Sequence, residues 1–254
     1  MEVHAHSHPS TGSGPRKKWT HYLWEFLMLF LAVFCGFLAE LQLEHKVEKG
    51  REKQYMKSMV EDLKADTAML INNIKQRQEK IMMIDSLATL LTSSLVNERG
   101  NDIYYYGRSI SPPTNIFPND GTIQQLKSSG NLRLIHSTTI SNGIMAYDQK
   151  MRTALFDMGD EAEMRAEYRS LAKKVFNTKV FYDMIATDNI SIPTNNPVLY
   201  SKEPALLNEF IGAVQYFKRI HQAQLIRSKE LLTQAQKLME NIIKEYHLSE
   251  KSLP

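Results

Sequence analysis

The sequence predicts an all-α protein in which one N-terminal transmembrane helix continues into an up-and-down bundle of long helices. The 254 residues include only nine prolines and eleven glycines, which argues against a loop-rich or all-β chain. One long apolar stretch lies near the N-terminus, and later segments carry apolar residues at spacings of three and four. Such spacing is typical of helices that pack against one another.

The chain begins with a polar, basic leader, residues 1–18, that contains His4, His6 and His8. Imidazoles at this alternate spacing can bind a transition metal loosely, whereas an unstructured polar tail is the simpler interpretation. We therefore expect no metal site, and the three histidines are the only candidate ligands.

The predicted transmembrane helix covers residues 19–43. The stretch 22–43 would be about 33 Å long as a helix, enough to cross a hydrocarbon core of about 30 Å. The uninterrupted apolar run from Phe26 to Ala39 favours insertion, so we expect the lipid bilayer to be a partner. Aromatic residues typical of the headgroup region precede this run: Trp19, Tyr22 and Trp24.

Other interpretations of this segment fit less well. A cleaved signal peptide requires small residues before the cut at Ala39, but Phe37 places a bulky ring there. A lipoprotein cut before Cys35 meets the same obstacle in Phe34. The buried helix of a soluble protein stays open, although an apolar run without a polar face favours the membrane.

The charges on the two flanks set the expected orientation. Arg16, Lys17 and Lys18 precede the helix with only Glu2 against them, which favours a cytoplasmic N-terminus. We expect a bacterial inner-membrane protein whose helical domain, residues 44–254, lies in the periplasm. Basic residues also follow the helix closely and oppose this orientation: Lys46, Lys49, Arg51, Lys53 and Lys57.

The first long helix of the domain is predicted to run from Glu40 to about Val96. Gly100 and Asn101 are expected to end it. Its apolar stripe follows a heptad pattern: Met56, Met59, Leu63, Thr67, Leu70, Ile74, Ile81, Ile84, Leu87 and Leu91.

A proline-rich loop is predicted over about residues 98–120. A short helix, Thr122–Ser129, follows it. Asp120 is the expected N-cap of this helix, and Gly130 is expected to end it.

The rest of the chain is predicted to form two more long helices. One begins near Thr138 and continues, with a break near Gly159, to Ile185. A second loop, about residues 187–204, separates it from the last helix, Ala205–Tyr246. The first and last helices are of similar length, so we expect them to pair antiparallel. The heptad stripes fit internal packing and a homo-oligomer equally well.

Three stretches of the chain resemble a known family. They are Lys17, Lys18, Trp19, Trp24, Glu25 and Phe26; residues 52–66 with Glu52, Lys53, Gln54, Tyr55, Glu61, Asp62, Leu63 and Asp66; and residues 122–135 followed by Tyr147. Together they resemble the single-pass membrane proteins of Bacteroidota that are catalogued only as a domain of unknown function. The resemblance is clear over residues 17–150, and its most specific element is the run 126–135. It implies a membrane location and a helical extracytoplasmic domain, and it implies no activity.

Motifs for catalysis are not recognisable. The sequence has no glycine-rich phosphate loop, no His-Glu-x-x-His and no Gly-x-Ser-x-Gly. Cys35 is the single cysteine, which excludes an intrachain disulfide and a thiolate zinc site. The net charge of +3 is spread without a basic stripe, so nucleic acid is not an expected partner. We expect no enzyme activity and no cofactor.

Glu25 and Glu40 are the acidic residues of the membrane segment. A carboxylate inside an anchor is costly, so Glu25 either reaches the interface or binds a helix, a leader lysine or a headgroup. The two acids lie about 60° apart around the helix, which favours one shared partner surface.

Two features of the helical domain are candidate contacts for a partner or ligand. Arg133 could present its guanidinium to a carboxylate or phosphate, or form an ion pair that ties the short helix to the bundle. Tyr104, Tyr105 and Tyr106 could form a binding surface or plug the end of the bundle.

These observations favour a membrane-anchored scaffold, or an accessory or sensor protein, that binds a protein partner through its helical bundle. The leader, residues 1–18, is too short for an output domain, so an autonomous receptor is less favoured. Two alternatives stay open. A subunit of a transport or ion-coupled assembly would use intramembrane Glu25. An enzyme of unrecognised type would use a cluster of Tyr104, Arg133 and His136.

Overall fold

The computed structural model describes residues 19–185 and 189–248. Within these ranges the chain is helical, and the only strand-like pairing is one isolated bridge between Ile185 and Ile190. The all-α prediction is therefore confirmed. The leader and its candidate metal ligands His4, His6 and His8 lie outside the described residues.

The helices of the described residues follow one another in this order: α1, Trp19–Leu91; α2, Gly100–Ser109; α3, Gly121–Ser128; α4, Thr138–Phe156; α5, Met158–Val175; α6, Thr178–Asp183; and α7, Pro204–Glu245. Two 3-10 turns, Ser94–Asn97 and Asn131–Leu134, lie between them. The chain divides between Arg51 and Glu52 into two compact units.

The first unit contains the apolar part of α1. Its large apolar side chains are exposed, and the most apolar 18-residue window has a mean hydropathy of 2.2 with none of its residues buried. Exposed apolar surface of this extent is unfavourable in water and favourable in a hydrocarbon core. By length and composition, α1 is therefore a helix that can cross a membrane.

Several helix ends in the second unit follow from their sequences. Gly130 adopts a left-handed φ of 68° after α3, as predicted for a residue that ends a helix. Pro204 begins α7, where its missing N–H costs nothing because the first amides of a helix have no intrahelical acceptor. The predicted break near Gly159 is confirmed, since α4 ends and α5 begins around Asp157.

One predicted loop contains a helix, and this prediction was wrong. Residues 100–109 form α2, whereas α1 ends at Leu91, so Gly100 does not end the first helix. A Cβ atom at Gly100 would overlap the carbonyl oxygen of Pro197. The Gly100 amide also donates to Oδ1 of Asn196 at 2.6 Å. The glycine is therefore required by a close approach of the second loop.

The third predicted helix is also shorter than expected. It was expected to reach Ile185, but α5 ends at Val175 and the separate helix α6 begins at Thr178. Phe176 adopts extended backbone, and the side chain of Asn177 accepts the Lys179 amide at 3.0 Å as the N-cap of α6. An Asn N-cap favours a new helix at this point.

Polar contacts establish whether α4, α5 and α7 run parallel or antiparallel to the second-unit part of α1. The Tyr246 hydroxyl, just after α7, donates to Glu52 Oε1 at 2.5 Å, whereas His221 contacts Arg77 further along α1. The two helices are therefore antiparallel, as predicted. For α4 and α5 the order is reversed: Tyr147 contacts Asp66 and Glu161 contacts Arg77, so these helices run parallel to α1.

Between α2 and α4 the chain runs back along α1. We call residues 110–136 the return segment. Its polar contacts with α1 pair rising residue numbers of the segment with falling numbers of the helix: Pro112 with Lys80, Thr114 with Arg77, Asn119 with Asp66, Thr122 with Asp62, Asn131 with Tyr55, and His136 with Glu52. The bundle therefore alternates in direction through α1, the return segment, α4–α5 and α7.

Two separate apolar cores fill the second unit. The first core joins residues 56–70 of α1 to α4 and the C-terminal half of α7. The second core joins residues 84–91 of α1 to α2, α5 and the N-terminal half of α7. The α1 side chains buried between them are polar: Asn73, Arg77 and Lys80.

The close approach at Gly100 predicts a measurable stability effect. We expect Gly100→Ala to lower the free energy of unfolding by about 2 kcal/mol, because the new methyl group forces the Pro197 backbone to move. Gly212→Ala, inside α7 with open space around the new methyl, should raise it by about 1 kcal/mol. Chemical denaturation of the full chain in detergent measures both; an unchanged Gly100→Ala variant would contradict the contact.

Candidate functional site

The two acids of the membrane segment lie on the exposed surface of α1. Nε2 of His21 is 3.2 Å from Oε1 of Glu25, one helical turn away, and both side chains are about half exposed. Glu40 is exposed about 22 Å further along the helix axis. This separation places the two carboxylates too far apart to bind one small ligand together.

The predicted tyrosine cluster divides into a core residue and two surface residues. Tyr104 is fully buried; its hydroxyl donates to the Val198 carbonyl at 2.9 Å and accepts the Asn177 amide at 2.8 Å. Burial raises the pKa of this hydroxyl above its usual range. Tyr105 and Tyr106 stay half-exposed. Tyr104 therefore fills the second core and is not available as a contact surface.

Arg133 lies exposed on the second 3-10 turn, and the described residues offer its guanidinium no ion pair. The predicted structural ion pair from this residue is therefore absent in the described part of the chain. Nearby His136 instead donates its backbone amide to Glu52 Oε1 at 2.8 Å. Tyr104 belongs to the other core, so Tyr104, Arg133 and His136 do not form one cluster.

The most elaborate site was not predicted. A set of buried polar residues, which we call the polar layer, separates the two cores: Asn73, Arg77 and Lys80 of α1, Thr114 of the return segment, Glu161 and Arg165 of α5, and His221, Gln224 and Ser228 of α7. The layer therefore joins α1, α5, α7 and the return segment.

Arg77 is the centre of the polar layer, with 1% of its surface exposed. Its Nη1 is 2.8 Å from Oε2 of Glu161, and its Nη2 donates to the Thr114 carbonyl at 2.8 Å. Nε donates to Oδ1 of Asn73 at 3.0 Å. Because a guanidinium cannot accept, Nδ1 of His221, 3.1 Å from Nη1, is the acceptor of that pair.

Asn73 extends this network to α7 and the return segment. Its Oδ1 accepts from the Ser228 hydroxyl at 2.9 Å as well as from Arg77. Its amide nitrogen is 3.4 Å from the Thr114 carbonyl. One short side chain therefore satisfies polar groups from three elements, which favours a single register of the helices.

The charge of the polar layer is unbalanced. Glu161 is its only carboxylate, within 3.8 Å of Arg165 as well as bonded to Arg77, and Lys80 adds a third cation. Burial, with the nearby Arg77 and Arg165, lowers the pKa of Lys80 to about 8. His221 is fully buried, and burial together with Lys80 and Arg77 lowers its pKa to about 3. The imidazole is therefore neutral at physiological pH.

Neutral His221 has Arg77 at its acceptor nitrogen, and its other ring nitrogen has no partner among the described residues. In the described part of the chain, no group of three His, Cys, Asp or Glu residues could hold a metal ion. The hydrogen bonds and ion pairs of the layer join α1, α5, α7 and the return segment to one another.

The α1 residues of the polar layer lie beside the predicted apolar stripe, which does not include them. The stripe placed Ile74 and Ile81 in the core, but both are only half-buried, and that placement was wrong. The buried positions of this part of α1 are Asn73, Arg77 and Lys80. The stripe also takes one step of seven positions, from Ile74 to Ile81, where its other steps are three or four. Arg77 lies in the middle of this step.

Comparisons with known proteins identify no relative of this chain: no protein-family model, no curated protein and no solved structure matches it. The resemblance to the single-pass proteins of Bacteroidota therefore stays a prediction.

The neutral state of His221 predicts how stability depends on pH. Below pH 6.5 the unfolded chain binds a proton at this residue, whereas the folded chain does not until about pH 3. The contribution of His221 to the free energy of unfolding is therefore intact above pH 6.5. It is lost as the pH falls towards 3, by at most about 1.4 kcal/mol per pH unit. We expect His221→Gln to lose less unfolding free energy than the unmodified chain between pH 6.5 and 4.5.

Denaturation of both full-length proteins at several pH values measures this difference. Gln keeps an oxygen that can accept from Arg77 but does not titrate. The substitution therefore removes proton binding at this position and preserves the contact. Parallel pH curves for the two proteins would show that His221 is not held neutral.

Proposed function

We propose that this protein is a membrane-anchored helical scaffold or accessory protein whose bundle binds a protein partner and performs no catalysis. The single observation that carries the proposal is the exposed apolar segment of α1, which has a mean hydropathy of 2.2 and no buried residue. A bilayer is the solvent that suits such a surface.

The polar layer supports a binding role over an enzymatic one. Its central cation, Arg77, is bonded through all three of its nitrogens, and its histidine is neutral and packed against Phe217 at 4.6 Å between ring centroids. A group that must transfer a proton or attack a substrate has to be reachable by that substrate. Arg77 and His221 are instead enclosed by the bundle.

The surface of the second unit supports a protein partner. Exposed large apolar side chains recur between residues 182 and 200, where a water-exposed segment would be expected to carry polar groups. These residues are Tyr182, Ile185, Ile192, Val198 and Tyr200, each more than half exposed. Tyrosine with aliphatic neighbours is typical of surfaces that bind another protein. We propose a partner protein with a complementary apolar surface.

The proposal includes a location. We place the protein in a bacterial inner membrane, with a cytoplasmic N-terminus and a periplasmic helical domain. The basic cluster Arg16, Lys17 and Lys18 favours this orientation. Membership of the Bacteroidota family named above would agree with it.

A transport or ion-coupled subunit is the second candidate. The observation that favours it is the pair of His21 and Glu25, 3.2 Å apart in the predicted transmembrane helix, residues 19–43. Two titratable side chains in such a segment can exchange a proton. In this case Glu25 carries the function, and the bundle surface does not.

One experiment distinguishes the two candidates. The full chain is crosslinked in its native membrane, purified in a mild detergent, and compared with Tyr182→Ala/Tyr200→Ala and Glu25→Gln. We expect one stoichiometric protein partner that is lost in the double tyrosine variant and kept in Glu25→Gln, because the exposed rings form the contact. Met82→Ala, at another exposed apolar residue, is the matched control and should keep the partner.

The opposite results are equally informative. A chain that purifies as a solitary monomer after crosslinking would contradict the scaffold. If the cellular phenotype is lost in Glu25→Gln, with normal abundance and membrane insertion, while the double tyrosine variant is normal, the ion-coupled subunit replaces it.

A further inference from the structure

A cavity of about 320 Å³ lies among α2, α5 and α6, and none of the polar-layer residues is among those that line it. This volume is at the lower end of the range of small-molecule sites, which begins at about 300 Å³. It lies wholly within the second unit. The side chains that matter for its chemistry are Arg108, Ser111, Tyr168, Arg169, Lys173 and Phe181.

The cavity is lined by three cations and by no carboxylate. Among the described residues, no ion pair joins Arg108, Arg169 or Lys173 to an acidic side chain, although many other basic residues of the second unit are paired. Like charges that converge on one cavity repel one another unless an anion lies between them. The charge of this cavity therefore suits a negatively charged ligand.

One of these cations is held in place by the fold, and a second has a buried donor. Nε of Arg169 donates to the Ser111 hydroxyl at 2.8 Å, and Nη2 donates to the Ser111 carbonyl at 3.0 Å. Its Nη1 is left for a further acceptor, because a guanidinium has five donor hydrogens. Nε of Arg108 is buried without a hydrogen-bond partner among the described residues. A buried donor of this kind is costly unless something accepts from it.

Two aromatic rings, Tyr168 and Phe181, also line the cavity. The Tyr168 hydroxyl donates to the Gly107 carbonyl at 2.5 Å, which fixes its ring as part of the wall. Phe181 stacks on Phe176 at 4.8 Å between ring centroids. Phe176 in turn fits against Gly107, where a Cβ atom would come within 2.6 Å of its ring. These contacts hold the aromatic part of the lining in place.

We propose that this cavity binds a small organic anion, with its carboxylate or phosphate at Arg108, Arg169 and Lys173 and its apolar part against Tyr168 and Phe181. Guanidinium groups bind planar carboxylates and phosphates through paired hydrogen bonds. This site gives the protein a function in addition to partner binding, because a bundle that binds a small ligand can sense that ligand. It does not depend on the proposed partner, since the isolated chain contains every residue of the site.

Titration calorimetry of the purified full chain in a non-ionic detergent tests this site. The probes are phenyl phosphate and benzoate, with neutral benzamide and inorganic phosphate as comparisons. We expect saturable binding of at least one aromatic anion, weaker binding of inorganic phosphate, and none of benzamide. The affinity should fall as salt is raised, because the contacts are between charges.

Variants locate the binding. Lys173→Gln and Arg108→Gln should each weaken the affinity about tenfold or more, which corresponds to losing one charged contact. Lys174→Gln is the matched control: it removes the same charge from the same last turn of α5, but Lys174 does not line the cavity. Arg169 is left unchanged because it supports Ser111.

The inference is overturned if neither aromatic anion binds saturably, if benzamide binds as tightly as they do, or if Lys174→Gln weakens binding as much as Lys173→Gln. The last result would show that any positive charge at this helix end suffices. Should Arg108→Gln unfold the chain, Lys173 still decides the outcome, since its side chain is exposed and its loss leaves the core intact.

Discussion

The return segment imposes the constraint on which the rest of the bundle depends. Its residues run along α1 largely outside regular helices, so many of their backbone groups need partners from elsewhere. The side chains of α1 supply those partners: Asp62 accepts the Thr122 amide, Asp66 accepts the Asn119 amide, and Arg77 donates to the Thr114 carbonyl. A helix that was uniformly apolar on this face would leave these groups unpaired and would not hold the segment.

This constraint also explains why Asp66, a buried residue of α1, is a carboxylate. Burial raises the pKa of Asp66, which shows that its carboxylate is held at some cost, offset by bonds from Asn119 and the Tyr147 hydroxyl. Further contacts hold α1 and the return segment together, since Glu52, Tyr55 and Asp62 bind residues of the return segment.

The sequence predicted the helices well because their signals are local. Apolar spacing placed α7 within one residue of its observed ends, and Gly130 ended α3 as expected. Most of what failed depended on contacts between distant residues, whereas the N-cap Asn177, which separates α5 from α6, is a local signal that the apolar spacing does not show. In the sequence Gly100 looks like a helix end, because the Pro197 carbonyl that requires a glycine there is distant along the chain. A hydrophobic stripe selects Ile74 and Ile81 and cannot reveal buried polar groups, such as Arg77, whose partners lie on other elements. For the same reason neither the polar layer nor the cation-lined cavity was predicted.

The most direct test of this account is hydrogen exchange at the backbone of the return segment. Thr122 lies in the first turn of α3, where its amide has no helical acceptor, and Oδ2 of Asp62 accepts it at 3.0 Å. In the full chain, Asp62→Ala should accelerate exchange of a peptide spanning residues 117–126 by about tenfold or more, since the lost bond was its local protection. Glu61→Ala, which removes the neighbouring surface carboxylate paired with Lys64, should leave it unchanged. Equal exchange in the Asp62→Ala and unmodified chains would contradict the claim that α1 holds the return segment through its polar side chains.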